Sequence, residues 1–83
     1  MFYVYVLRSL KNNRNYIGTT NNLKRRLQEH NSGRSKYTSL TRPFKLIYFE
    51  AFNTRASAVQ RELFLKSGKG REWLKNVSGR AVA

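Results

Sequence analysis

Near the start of the chain apolar side chains occupy both alternating sets of positions. Phe2, Val4 and Val6 form one set, and Tyr3, Tyr5 and Leu7 the other. Strand side chains point alternately to the two faces, so this run predicts a strand largely covered on both. Lys11-Asn12-Asn13-Arg14-Asn15 is polar, turn-prone and too short for a helix, which predicts a hairpin. Tyr16-Ile17-Gly18-Thr19 reads as a brief second strand, with Tyr16 and Gly18 on one face and Ile17 on the other. Gly18 either marks a close backbone approach or is an ordinary strand end.

The period then becomes helical. Asn21 or Asn22 can cap a helix over about residues 23–31, with Leu23 and Leu27 as its buried stripe. At about 100° per residue His30 lies about 20° from Leu23, and Arg26 about 60° to the same side. Both stand at the edge of the apolar stripe, one turn apart, while Arg25 and Glu29 turn to solvent. Asn31-Ser32-Gly33 ends the helix. Pro43 opens a third strand over about residues 44–52, whose continuous apolar run marks it as central. Asn53 or Thr54 caps a second helix with Ala56, Val59 and Leu63 as its buried stripe, and Glu62 and Lys66 one turn apart beside it. Ser67-Gly68-Lys69-Gly70 stops that helix. A short helix over 71–76 returns Trp73 and Leu74 to the core, and Ser78 to Ala83 is a loose tail. The expected fold class is α/β of the α+β kind. A small mixed or antiparallel three-stranded sheet in β-β-α-β-α order is flanked by helices, with a short C-terminal helix, as one domain over 1–77 and a tail over 78–83.

Composition narrows the chemistry. A chain of 83 residues buries about 60% of its extended surface, enough for one core. Absence of cysteine excludes a disulfide scaffold, a Cys-ligated zinc, an iron–sulfur centre and thiol catalysis. The longest apolar run, residues 1–7, is far short of a membrane span or a signal peptide. The reading is a soluble cytoplasmic protein with no membrane partner. The formal charge of +13 is too large for indifferent decoration and points to a polyanion, nucleic acid first. The acidic residues are Glu29, Glu50, Glu62 and Glu72, with no Asp. A hydrolytic site must therefore rest on one or two carboxylates, and a metal would be held largely by water and substrate phosphate.

Taken singly, the candidate residues have plain structural readings. Paired strand tyrosines are common in half-buried sheets. A lone His at a helix edge is usually structural, and a Glu–Lys pair at i,i+4 is usually solvated. Their order carries more. Tyr3-Val4-Tyr5 followed by Tyr16-Ile17-Gly18, Arg26 ten residues after Tyr16 and His30 fourteen after it resembles the GIY-YIG nuclease superfamily, especially its small single-domain bacterial members. Asn31-Ser32-Gly33, Tyr37-Thr38, Arg42-Pro43 and Arg61-Glu62 before Lys66 are similar too, so the resemblance spans about residues 1–75. Tyr3 stands where the first signature has glycine.

The resemblance implies a phosphodiesterase site with one divalent ion, Mg²⁺ or Mn²⁺, for which Glu62 is the protein ligand. It implies that Tyr16 acts as general base or orients water, and that Tyr5 hydrogen-bonds in the same site. Arg26 would stabilise phosphate charge, and His30 would assist proton transfer or position the nucleophile. A phenol ordinarily titrates near ~10, so such a base needs positive charge beside it. These five residues are expected to converge on one cleft, and Tyr16 and Glu62 on opposite sides of the sheet would end the active-site hypothesis. Lys24, Arg25, Arg34, Lys36 and Arg42, with Lys66 and Lys69 from the other side, are expected to make a basic surface around it. The function expected is a metal-dependent endonuclease acting on DNA ahead of RNA, in repair or processing of branched or damaged DNA, and nucleoid-associated when bound. The alternative is a nucleic-acid-binding module with weak or lost cleavage. Specificity would come from the basic surface, a homodimer or a protein partner.

Overall fold

The doubly apolar run near the N-terminus forms the middle of the sheet. The computed structural model describes residues 1–33 and 40–78. It contains β1 (Phe2–Ser9), β2 (Asn15–Thr20), α1 (Leu23–Asn31), β3 (Phe44–Phe52), α2 (Arg55–Lys66) and α3 (Gly68–Ser78). The sheet order is β2-β1-β3, antiparallel throughout. Val4, Tyr5, Val6 and Leu7 are all buried, two on each face. The expectation that β3 is central is therefore corrected: β3 is an edge strand. Its apolar run is long, but Phe49 and Ala51 lie exposed, because α1 covers only the other end of that face.

Two cores result. On one face α1 brings Leu23 and Leu27 over Tyr5, Leu7, Tyr16, Phe44 and Leu46. On the other, Leu65 of α2 and Leu74 of α3 pack with Val4, Val6, Ile17 and Ile47. Each fully buried Leu or Val contributes about 1.5–3 kcal/mol of transfer free energy. The register slips between Val6 and Leu7, where Ile47 is the extra residue of β3. Ile47 and Tyr48 consequently both pack against the α2–α3 core.

Local chemistry sets the ends of the elements. Asn22 caps α1 by accepting from the Arg25 amide, and Thr54 caps α2 by accepting from that of Ser57. The hairpin closes through Ser9 N–H to Arg14 O, with Asn13 at φ 61°, a conformation asparagine tolerates. Beyond α1, Gly33 takes φ +80°, and the Arg42 guanidinium lies where its side chain would stand. The Asn31 amide donates to Phe44 O at 3.2 Å and accepts from Phe44 N at 2.6 Å, which pins the start of β3 to α1.

In the second layer α2 departs from its expected face and α3 from its expected bounds. The inward stripe of α2 is Ala58, Arg61, Glu62 and Leu65, whereas Ala56, Val59 and Leu63 are exposed. At about 100° per residue the two stripes are on the order of 140° apart. Arg61 is accommodated inside because Glu50 takes its Nε–H at 3.0 Å and the Phe64 and Trp73 rings flank its guanidinium. The Ser67–Gly70 stretch does stop α2, but only at Ser67. Gly68, Lys69 and Gly70 already belong to α3, which runs on to Ser78 rather than covering only 71–76. Gly70 is buried where the two helices nearly touch. Ser78 thus belongs to a helix, and the remainder of the expected tail, 79–83, lies outside the described residues, as do Arg34, Lys36, Tyr37 and Thr38. No described helix is long and apolar enough to cross a membrane.

Candidate active site

Tyr5 projects from β1 towards α1 and is paired with Gly18 across the β1–β2 ladder. A Cβ at Gly18 would lie 2.4 Å from Tyr5 Oη and 2.7 Å from Cζ. Of the two readings of this glycine, close approach is the correct one. The strand leaves out a side chain so that the phenol can lie across it. Tyr5 Oη accepts from Arg26 Nε at 3.1 Å and stands 3.4 Å from His30 Nε2. Which of Tyr5 Oη and His30 Nε2 donates in their contact is set by the imidazole tautomer. Glu29 accepts from Arg26 Nη1 at 3.2 Å, so the guanidinium is held from two sides. The Tyr5 hydrogen bond, opposed by partial burial and supported by Glu29, raises the Arg26 pKa further above its ordinary value.

His30 is buried edge-on against Tyr5 and Phe44. Burial, with the Arg26 charge, lowers its pKa below the ordinary 6.5 against a smaller opposing pull from Glu29. The neutral ring is favoured in the folded state, so the unfolded chain takes up the proton first as pH falls. The stability associated with neutral His30 is complete above about 6.5 and declines as pH falls towards the folded value. Melting temperatures measured against pH are expected to show this decline, and His30→Gln to remove it. An unchanged profile in the variant would assign the acid sensitivity elsewhere.

Tyr16 is half-buried on the same face, edge-on to Phe44 at 5.2 Å, and its hydroxyl donates to Thr41 Oγ1 at 3.3 Å. Glu62 comes from the opposite face. Thr19, one residue past Gly18, pairs with Val4 and so turns towards α2, where its hydroxyl donates to Glu62 Oε1. Lys66 Nζ donates to Oε2 at 2.7 Å. Burial pushes the Glu62 carboxyl up, but the hydrogen bonds from Lys66 and Thr19 and the Lys66 charge outweigh it, and the net shift is below the ordinary 4.5.

Tyr16 and Glu62 thus lie on opposite faces of the sheet, contrary to the condition set from the sequence. β2 is an edge strand, and a single depression running along it is lined by Tyr5, Tyr16, Arg26, His30 and Glu62 together. The basic set is less well gathered. Lys66 lines the depression, whereas Lys24, Arg25, Arg42 and Lys69 do not. Arg25 is engaged by Asn21 and Glu29, and Arg42 lies over Gly33. Arg14, Arg71 and Lys75 do line it and were not singled out from the sequence. The available signal was the one-turn spacing of Arg71 and Lys75 on a helix already expected there. Tyr3 packs edge-on against Phe49 at 6.2 Å and does not line the depression.

Among the described residues no group of three or more His, Cys, Asp or Glu could hold a metal ion. The donor chemistry at Glu62 nevertheless suits a hard divalent cation. A carboxylate has about four lone-pair directions, of which Thr19 and Lys66 engage one on each oxygen. Mg²⁺ characteristically takes one or two carboxylates and completes its shell with water and phosphate.

The family model for the GIY-YIG catalytic domain matches residues 1–76. A UPF0213 protein of Clostridium perfringens is 39% identical over 83 residues, covering 99% of this chain and 88% of its own length. One from Staphylococcus haemolyticus is 37% identical over 79 residues, covering 94% and 95%. The solution NMR structure of a UPF0213 protein from Bacillus halodurans superposes with a TM-score of 0.57 at 34% identity, covering 96% of this chain and 88% of that one.

Proposed function

The chain belongs to the GIY-YIG catalytic domain family, a family of nucleases, and from that premise we propose that it is an endonuclease hydrolysing phosphodiester bonds in DNA with one divalent cation, Mg²⁺ or Mn²⁺, held at Glu62. The observation that carries this reading is the meeting of Tyr5, Tyr16, Arg26, His30 and Glu62 in one depression. Arg26 is fixed through Nε by Tyr5 and through Nη1 by Glu29, and its side chain is 44% exposed. It is thereby positioned to offer its remaining N–H groups to non-bridging phosphate oxygens, where charge grows in the transition state. The Tyr16 hydroxyl orients the attacking water or takes its proton. His30, with Nε2 facing Tyr5 Oη, assists proton transfer or positions the nucleophile through that phenol. The cation, when bound, supplies Lewis-acid stabilisation of the phosphoryl oxygens. Substrate choice, including branched or damaged DNA, is left to the basic surface and to a second copy or protein partner.

Incubation with linear, nicked and branched DNA, and with single-stranded RNA, in Mg²⁺, Mn²⁺ or chelator tests this directly. Cleavage is expected with metal and none with chelator. Tyr16→Phe keeps the ring against Phe44 and removes only the hydroxyl, so turnover is expected to fall by about 10²–10⁴-fold with binding retained. Wild-type turnover in this variant would remove Tyr16 from the chemistry. The binding-module alternative draws on the engagement of both Glu62 oxygens by protein donors. It predicts salt-sensitive binding without cleavage of any of these substrates under either metal.

A further inference from the structure

We infer that the wall of the depression formed by Arg14, Arg71 and Lys75 is a binding track for the phosphodiester backbone beside the scissile position, so that the strand leaves the site over α3. This deepens the nuclease reading and rests on it. Arg14 comes from the β1–β2 turn, and Arg71 and Lys75 stand one turn apart on α3. All three line the same depression as Glu62, and all three are exposed. Residues four apart on a helix have Cβ atoms about 5–6 Å apart, so Arg71 and Lys75 present two adjacent cations.

Their freedom from partners sets them apart. Among the described residues none of the three side chains makes an ion pair. Arg26 is committed to Tyr5 and Glu29, Arg25 to Asn21 and Glu29, and Lys66 to Glu62. Glu72 shares α3 with two of the free cations but does not line the depression. Uncompensated cations along one wall repel one another, and a phosphate chain relieves that repulsion. A paired cation is already partly neutralised by its partner, whereas a free one gives up only mobile counterions on meeting phosphate. The two arginines add forked donors suited to phosphate oxygens. DNA and RNA share this chemistry.

The test is equilibrium binding of the full chain to labelled DNA and RNA oligonucleotides of one sequence, single- and double-stranded, in chelator and over a series of salt concentrations. The combined variant Arg14→Gln, Arg71→Gln, Lys75→Gln is compared with Lys11→Gln, Lys45→Gln, Arg55→Gln, which removes the same charge from exposed positions outside the depression. Thermal unfolding confirms that both are folded. The track variant is expected to lose about tenfold or more in affinity at low salt. Its slope of log affinity against log salt should flatten by about 2–3, since each lost phosphate contact carries about 0.7–0.9. The control should lose far less, and DNA and RNA should respond alike. Equal losses in the two variants would reduce the effect to overall charge and overturn the track, as would undiminished binding in the track variant. A loss confined to DNA or to RNA would overturn the phosphate assignment. If the wild-type chain bound no oligonucleotide at the lowest salt, the nuclease reading itself would fail, and the track with it.

Discussion

Glu62→Gln is expected to lower cleavage by at least about 10²–10³-fold while leaving nucleic-acid binding in place. Glutamine has nearly the same shape, so the exchange removes charge rather than volume. Its amide oxygen can still accept from Thr19, whereas Lys66 loses an anionic partner. That ion pair has a Lys66 side chain 49% exposed, and after solvent screening such pairs contribute about 0–1 kcal/mol. The fold is therefore retained, and the melting temperature moves by a few degrees at most. What disappears is the only carboxylate among the described residues that line the depression, and with it the anionic ligand proposed for a divalent cation. Lys66 is left unpaired and the chain gains a net positive charge, so binding holds or tightens. Parallel measurement of product formation and of binding by anisotropy reads both effects. A variant that cuts at the wild-type rate would show that Glu62 holds no essential metal.

Gly70→Ala is expected to destabilise the protein by about 3 kcal/mol, the upper part of the range for forcing volume into a packed site. A Cβ at residue 70 would stand only 1.9 Å from Phe64 O and 2.6 Å from Leu65 Cα, both in backbone that has no rotamer with which to yield. α3 would have to lift away from α2, drawing Leu74 out of the core where it is 2% exposed. For a domain of this size the melting temperature should fall by roughly 12–24 °C. Gly68 supplies the control. Nothing lies within 4 Å of a Cβ there, so Gly68→Ala should be neutral or stabilising by up to about 1 kcal/mol through helix propensity. Thermal unfolding of the pair distinguishes a steric cause from a general intolerance of glycine replacement. Equal melting temperatures would mean that the helices are not in this close contact.

The same two glycines show why α3 was only partly legible. A glycine pair flanking a lysine reads as a helix stop because glycine is a poor helix former. Here tertiary contact favours glycine at position 70, and the helix starts at 68. The face of α2 failed for a related reason. Periodicity ranks residues by their own polarity, but Arg61 and Glu62 face inward because distant residues supply their partners. These are Glu50 and Trp73 for the first, and Thr19 for the second. The central strand was misplaced because a continuous apolar run indicates burial on two faces only where something covers both. The α1-side residues at one end of β3 have no helix above them. By contrast β1, β2, α1 and their caps depend on near neighbours and alternation, and those were readable. The candidate site divides in the same way. Its residue types and their order stand in the sequence, but their approach from both faces of an edge strand depends on the sheet order, which no local pattern encodes.

The separation of Tyr5 and His30 from Glu62 by the thickness of the sheet works as an interlock. The phenol and imidazole are seated in the core beneath α1, whereas the carboxylate is carried by a helix held in place through Leu65 and the Leu74 of its successor. Neither hydrophobic cluster alone can assemble the pair. During synthesis the hairpin and α1 emerge first, but residue 62 comes late, and the side chain that completes its supporting layer comes twelve positions later still. A partly made chain, or one with either layer melted, would hold only half of the proposed site. If the chain cleaves as proposed, hydrolytic competence coincides with the docking of both layers, and copies in which either is undocked are inert.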